Sequence, residues 1–164
     1  MMEPRKMSTK QKQIVWVVGL CMAIMATACS NSQAAREKNL KQQADSFATY
    51  YYNWQFHKAQ TFTTEESEPW LRMAASQLTQ KDVDLLNETD ENATCEVGDI
   101  DYENDSTARV QITVRHYLRI DSIGVKATPT DRGTFVLPMV YQNEKKQWYV
   151  NLNGVLREEN QQSE

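Results

Sequence analysis

Histidine and cysteine are scarce in this chain, two and three residues among 164, and no two cysteines stand at metal-ligand spacing. The sequence therefore gives no ground for a metal site or for any cofactor. Glycine and proline are equally thin, five and four residues, so there is no glycine-rich phosphate loop and no low-complexity tract. Positive charge is not in excess: 18 Lys and Arg face 22 Asp and Glu, a net charge of −4. A nucleic-acid partner held by phosphate contacts is excluded on that balance. No internal repeat is present. The longest uncharged apolar run, residues 14–28, is shorter than the ~20 residues that span a bilayer core.

That run is nevertheless the most specific feature of the chain. Arg5, Lys6, Lys10 and Lys12 precede it, and Ala26-Thr27-Ala28-Cys29 close it. A basic segment, a short apolar segment and small residues before a cut are the parts of a secretory signal. The closing stretch resembles a bacterial lipobox. Thr27 and Ala28 match that pattern, and Ala26 stands where leucine is commoner. The other cysteine of the run, Cys21, follows Leu20 and makes a poorer cut site. The resemblance implies cleavage before Cys29 and acylation of Cys29, with acyl chains such as palmitate as the membrane partner. Each buried methylene is worth roughly 0.8 kcal/mol, so two or three chains anchor a protein firmly. Ser30, in place of aspartate after the cysteine, implies transfer to the outer membrane, facing the periplasm. Residues 1–28 are thus expected to be a lipoprotein signal peptide and 29–34 a polar tether. The alternative is that residues 14–29 stay in place as a membrane span.

Without residues 1–28 the chain keeps 136 of its 164 residues, with 14 of 18 basic and 21 of 22 acidic ones, a net charge of −7. That length suits one domain. Cys95 is then the one thiol left for the core, and no disulfide within the mature chain is expected.

Leu40, Ala44, Phe47, Tyr51 and Trp54 recur at helical spacing and predict a long helix over 34–60. His57 and Lys58 suit its carbonyl end. A second helix is predicted over about 69–78, with Trp70, Ala74 and Leu78 facing in. A third, over 81–87, is opened by Thr79 with Asp82 as a capping box, and buries Val83 and Leu86. From residue 94 the period changes to two. Strands are predicted over 95–102, 108–120, 133–142 and 147–152. In the second, Val110, Ile112, Val114, His116, Leu118 and Ile120 form one face. Pro138 marks the third strand for an edge or a bulge. Residues 157–164 read as a charged, disordered tail. Helices ahead of a meander predict an α+β fold: a long N-terminal helix and short helices packed on a curved antiparallel sheet of about four strands.

The segment Phe56–Phe62, the long strand 108–120 and the closing hairpin around Phe135–Leu137 and Gln147–Val150 together resemble the NTF2-like (cystatin-like) superfamily over residues 35–156. In particular they resemble small envelope lipoproteins of Bacteroidetes. The resemblance implies a cone whose open end holds a ligand or an active site in some members. Enzymatic members need an acid or base inside the cone, and the strand pattern offers His116 alone. Tyr51, Trp54, His116, Tyr141 and Trp148 are the candidate pocket residues.

The function expected from all this is a non-enzymatic, lipid-anchored cell-envelope protein acting as a binding or assembly module, with an envelope protein as partner. One alternative is a VirB8-like periplasmic component of a conjugation or secretion apparatus, with 14–29 as its span. The other is a small-molecule enzyme or ligand carrier using the cone.

Overall fold

The computed structural model describes residues 32–89, 91–120 and 125–159. Cys29 and the leader lie outside these residues. The chain divides into two units, 1–37 and 38–164. Of the first, the described residues 32–37 are helical.

The second unit has the expected α+β architecture: helices come first, then a four-stranded antiparallel meander of order β1-β2-β3-β4. Helix α1 takes residues 38–52, and α2 is one turn, Phe56–Ala59. Helices α3, Glu68–Ser76, and α4, Gln80–Glu88, come next. The strands are β1, Thr94–Asn104; β2, Thr107–Arg119; β3, Thr128–Gln142; and β4, Gln147–Val150.

The sheet buries one face. Val110, Ile112 and Val114 of β2, Leu137 of β3 and Val150 of β4 have no exposed surface, and Leu40, Ala44, Phe47 and Ala48 of α1 are equally covered. The period-two pattern of the strands and the 3.6 pattern of α1 thus meet in one core.

Several boundaries depart from the sequence expectation. The long helix stops at residue 52 rather than 60. Trp54 adopts the left-handed conformation, φ 55°, which ends a helix. β3 begins at Thr128 rather than 133, because the far end of β2 recruits it as a partner: Leu118 faces Pro129 and Arg119 faces Thr128. On α3 the buried residues are Leu71 and Ala74; Trp70 and Leu78 are half-buried.

The largest correction is His116. It was expected on the core face, but it is exposed. The β2–β3 register runs Arg115 to Arg132 and then Tyr117 to Thr130, leaving His116 without a partner, at φ 53°. One residue is skipped on each strand, His116 and Asp131, so none is inserted; the left-handed conformation at His116 kinks β2, and Tyr117 is buried in its place. Gly133 accommodates that ring. A side chain there would collide with the Tyr117 hydroxyl and the Phe135 ring.

Pro138 fits for a simple reason. Its carbonyl accepts the Asn151 N–H at 2.8 Å, so its nitrogen points the same way, beyond the end of β4. No ladder bond is lost there.

Helix side chains meet backbone groups beside the strand ends. Asn39 Oδ1 accepts the Trp148 N–H at 3.0 Å. The Asn53 amide accepts from Ala93 N–H and donates to Ala93 O, both at 2.9 Å. Ser67 Oγ accepts the Leu152 N–H at 2.8 Å and donates to Val150 O at 3.2 Å. Asp82 is the fourth. Its carboxylate, fully shielded from solvent, completes the capping box with Thr79 and accepts the Ala127 N–H at 2.8 Å. The start of the charged tail is also tied down: Glu158 bridges to Phe135 and Glu159 accepts from Gln111 Nε2 at 3.1 Å. Residues 160–164 lie outside the described residues.

The Ala127 and Thr79 N–H groups and the Thr79 hydroxyl hold the Asp82 carboxyl below its ordinary range. A depressed folded value means stability that is present above the unfolded value near 4 and is lost as pH falls through the folded value. Asp82→Ala should cost about 2–3 kcal/mol at pH 7, since it removes a cap and strands the Ala127 donor. In urea unfolding the gap to the wild type should shrink below pH 4. A gap that does not change with pH would contradict this account.

Candidate functional site

A cleft lies where α1 ends. Tyr51, Tyr52 and Trp54 come from the end of α1 and its turn, Phe56 from α2, Tyr117 from β2 and Phe135 from β3. The segment after β4 covers it with Val155 and Leu156. Its volume is about 80 Å³. A water needs roughly 10–15 Å³ on that measure, so the cleft takes several waters or a molecule of about one ring.

The walls follow from local sequence. Three consecutive tyrosines end α1, and the helical turn sends Tyr51 and Tyr52 to adjacent parts of the core. The Tyr52 ring lies 4.8 Å from Phe135 and 5.7 Å from Tyr117, and Tyr117 stands edge-on to Phe135 at 5.7 Å. Tyr51 packs edge-on to Phe56 at 5.3 Å. Such pairs each add about 0.5–1.5 kcal/mol beyond area burial.

The polar groups are few. Burial raises the Tyr51 hydroxyl to about 12, partly offset by a hydrogen bond from the Leu156 backbone. Burial, with its neighbours Tyr51, Cys95, Tyr117 and Glu158, raises Tyr52 well above the ordinary range. Both phenols therefore stay protonated at neutral pH and act as hydrogen-bond donors, not as bases. At the rim Arg119 Nη1 stands 3.9 Å from Glu158 Oε2. Cys95, outside the cleft, is half-buried and raised to about 12 by desolvation and by Asp45, so it is not a thiolate. Among the described residues no three His, Cys, Asp or Glu side chains gather as metal ligands.

The sequence candidates divide. Tyr51 and Trp54 line the cleft. His116 points away from it and pairs with Glu91 at 3.4 Å on the surface. Tyr141 and Trp148 face each other across β3 and β4, ring to ring at 5.3 Å, at the other end of the sheet. Trp148 is 1% exposed and belongs to the core. Sequence reading missed Tyr52, Phe56, Tyr117 and Phe135 as cleft residues. The signal for Tyr52 was its place beside the helical stripe. Nothing in the alternation announced Tyr117, which depends on the left-handed kink at His116.

No family model and no curated protein matches the chain. A solved structure described as an "Ntf2 like protein involved in plasmid conjugation" aligns with 74% of this chain and 48% of that one, with a TM-score of 0.34 and 11% identity. This chain thus spans about half the length of that neighbour. At such distance the likeness assigns neither family nor function.

The left-handed conformation is what β2 requires of residue 116. His116→Gly should change stability by less than about 1 kcal/mol, whereas His116→Val, β-branched at positive φ, should cost roughly 1–2 kcal/mol. Thermal unfolding of the two variants checks this. Equal losses would remove the backbone conformation of His116 from the explanation.

Proposed function

We propose that this chain is a lipid-anchored binding module of the cell envelope, held through Cys29 and receiving a small molecule in the cleft at the end of α1. The observation that carries the binding part is the cleft itself. Aromatic rings wall it, its two buried phenols are held protonated, and His116, the base an enzymatic reading required, lies outside it. Such a lining binds and orients; it offers no matched acid and base. The anchor rests on the sequence: four basic residues, an uncharged apolar run and small residues before Cys29. Ser30 favours the outer membrane, facing the periplasm. An envelope protein is the partner this placement suggests.

The anchor is tested by growing cells on a clickable fatty acid and weighing the purified protein. The wild type should carry label and lack residues 1–28. Cys29→Ala should carry no label and keep them. An unlabelled wild type that retains residues 1–28 would replace the anchor with a membrane span, the arrangement expected of a periplasmic secretion component.

A further inference from the structure

Two features of the cleft are not explained by folding. The first is Trp54. Gln55 N–H bonds to Tyr50 O at 2.8 Å and Trp54 N–H to Tyr51 O at 3.0 Å, the paired bonds that close a helix around a left-handed residue. Glycine normally takes that place, because a Cβ is strained there. Here a tryptophan does, and its side chain is only half-buried, against the cleft. The core gains too little from such a ring to select it over glycine.

The second is Tyr52. Its ring fills the space between Phe135 and Tyr117, and its hydroxyl is buried with no hydrogen-bond partner among the described residues. Phenylalanine would fill the same space without stranding a polar group. A strained tryptophan and a stranded hydroxyl on one cleft both make sense if the missing partner is a ligand.

We propose that the cleft takes a flat, uncharged molecule of about one ring bearing a single hydrogen-bond acceptor, which the Tyr52 hydroxyl binds while Trp54 covers the ring. This deepens, and rests on, the binding reading above. The volume limits the ligand to about one ring. Burial keeps the phenol protonated, so it donates and its partner accepts. Arg119, the one charged residue of the lining, is paired with Glu158, so the lining favours an uncharged ligand.

The test uses the full chain in lipid nanodiscs, titrated with acetophenone, a ring with an acceptor, and with ethylbenzene, a ring without one. The tryptophan indole N–H resonances report binding, and protein-free discs correct for partition. Acetophenone should bind about three- to tenfold more tightly, the worth of one net hydrogen bond. Tyr52→Phe should abolish that preference, leave ethylbenzene affinity unchanged and not lower the melting temperature. Trp54→Gly should weaken both probes about tenfold at an unchanged melting temperature, strain relief offsetting the lost contact. Equal affinities in the wild type, or a Tyr52→Phe loss that falls on both probes alike, would overturn the acceptor while leaving a cleft that binds. A Trp54→Gly variant that melts lower and binds as before would make Trp54 structural and overturn its role. Binding of neither probe would overturn the cleft reading as well, and acylation of Cys29 would still stand or fall on its own label.

Discussion

The left-handed residue in β2, His116, decides which side chains wall the cleft. β2 is paired on both sides, with β1 and with β3, and its inward residues Ala108, Val110, Ile112 and Val114 are at most 2% exposed. That alternation could continue unchanged and would carry His116 into the core. A buried imidazole there would need a partner that the surrounding apolar face does not offer. The kink at His116 resolves the conflict by leaving His116 outside beside Glu91 and turning Tyr117 in. Tyr117 then needs room, which Gly133 provides on the adjacent strand. Tyr52 and Phe135 pack against the ring so placed, and the back wall of the cleft is complete. One misfit in a regular strand therefore propagates through a glycine and three aromatic rings.

The helical layer is fixed to the sheet by a second, repeated device. Apolar burial is non-directional and would let α1 slide on the sheet. Asn39, Asn53, Ser67 and Asp82 prevent that: Asn39 meets the Trp148 N–H within the edge strand β4, and the other three meet backbone donors just beyond strand ends. Every such bond satisfies a group that would otherwise be buried unpaired. Asp82 shows why the residue type matters. A carboxylate can accept from the Thr79 backbone, the Thr79 hydroxyl and the Ala127 backbone at once, with two oxygens to share among them. Ser67 does the same with one oxygen, accepting from Leu152 while donating to Val150.

Most of the fold was legible because it rests on periodicity. The stripe from Leu40 to Tyr51, the alternation from Val110 to Val114 and the Thr79–Asp82 box all act over one or two turns of chain, and sequence displays them. Such local patterns separate the helical half from the strand half without any knowledge of contacts. What the sequence hid was decided across the chain. Whether β3 starts at Thr128 depends on how far β2 reaches. Whether Asp82 is a surface cap or a buried clamp depends on Ala127, 45 residues away. The cleft was half legible for the same reason. Tyr51 and Trp54 share a helix end, but Tyr117 and Phe135 join them only through the kink at His116 and the β2–β3 register. Tyr141 and Trp148 misled because an aromatic pair reads alike in sequence whether it lines a cavity or fills a core.

The departures from local rules are not scattered evenly. Among the described residues three non-glycine residues have positive φ: Trp54, His116 and Lys146. Lys146 sits in the β3–β4 turn, where such a conformation closes a hairpin. The other two bear on one place. Trp54 lines the cleft directly, and the kink at His116 delivers Tyr117 to it. The stranded Tyr52 hydroxyl lies between them. Folding alone selects against each of these choices, since glycine at 54 and phenylalanine at 52 would be more comfortable. Among the described residues, buried polar atoms without a hydrogen-bond partner also occur away from the cleft, at Gln43 and Thr107, so it is the left-handed residues that single out this end. The two left-handed residues converge from a helix terminus and a strand kink that are far apart in sequence. Their common element is the cleft, the site proposed above to receive a ligand.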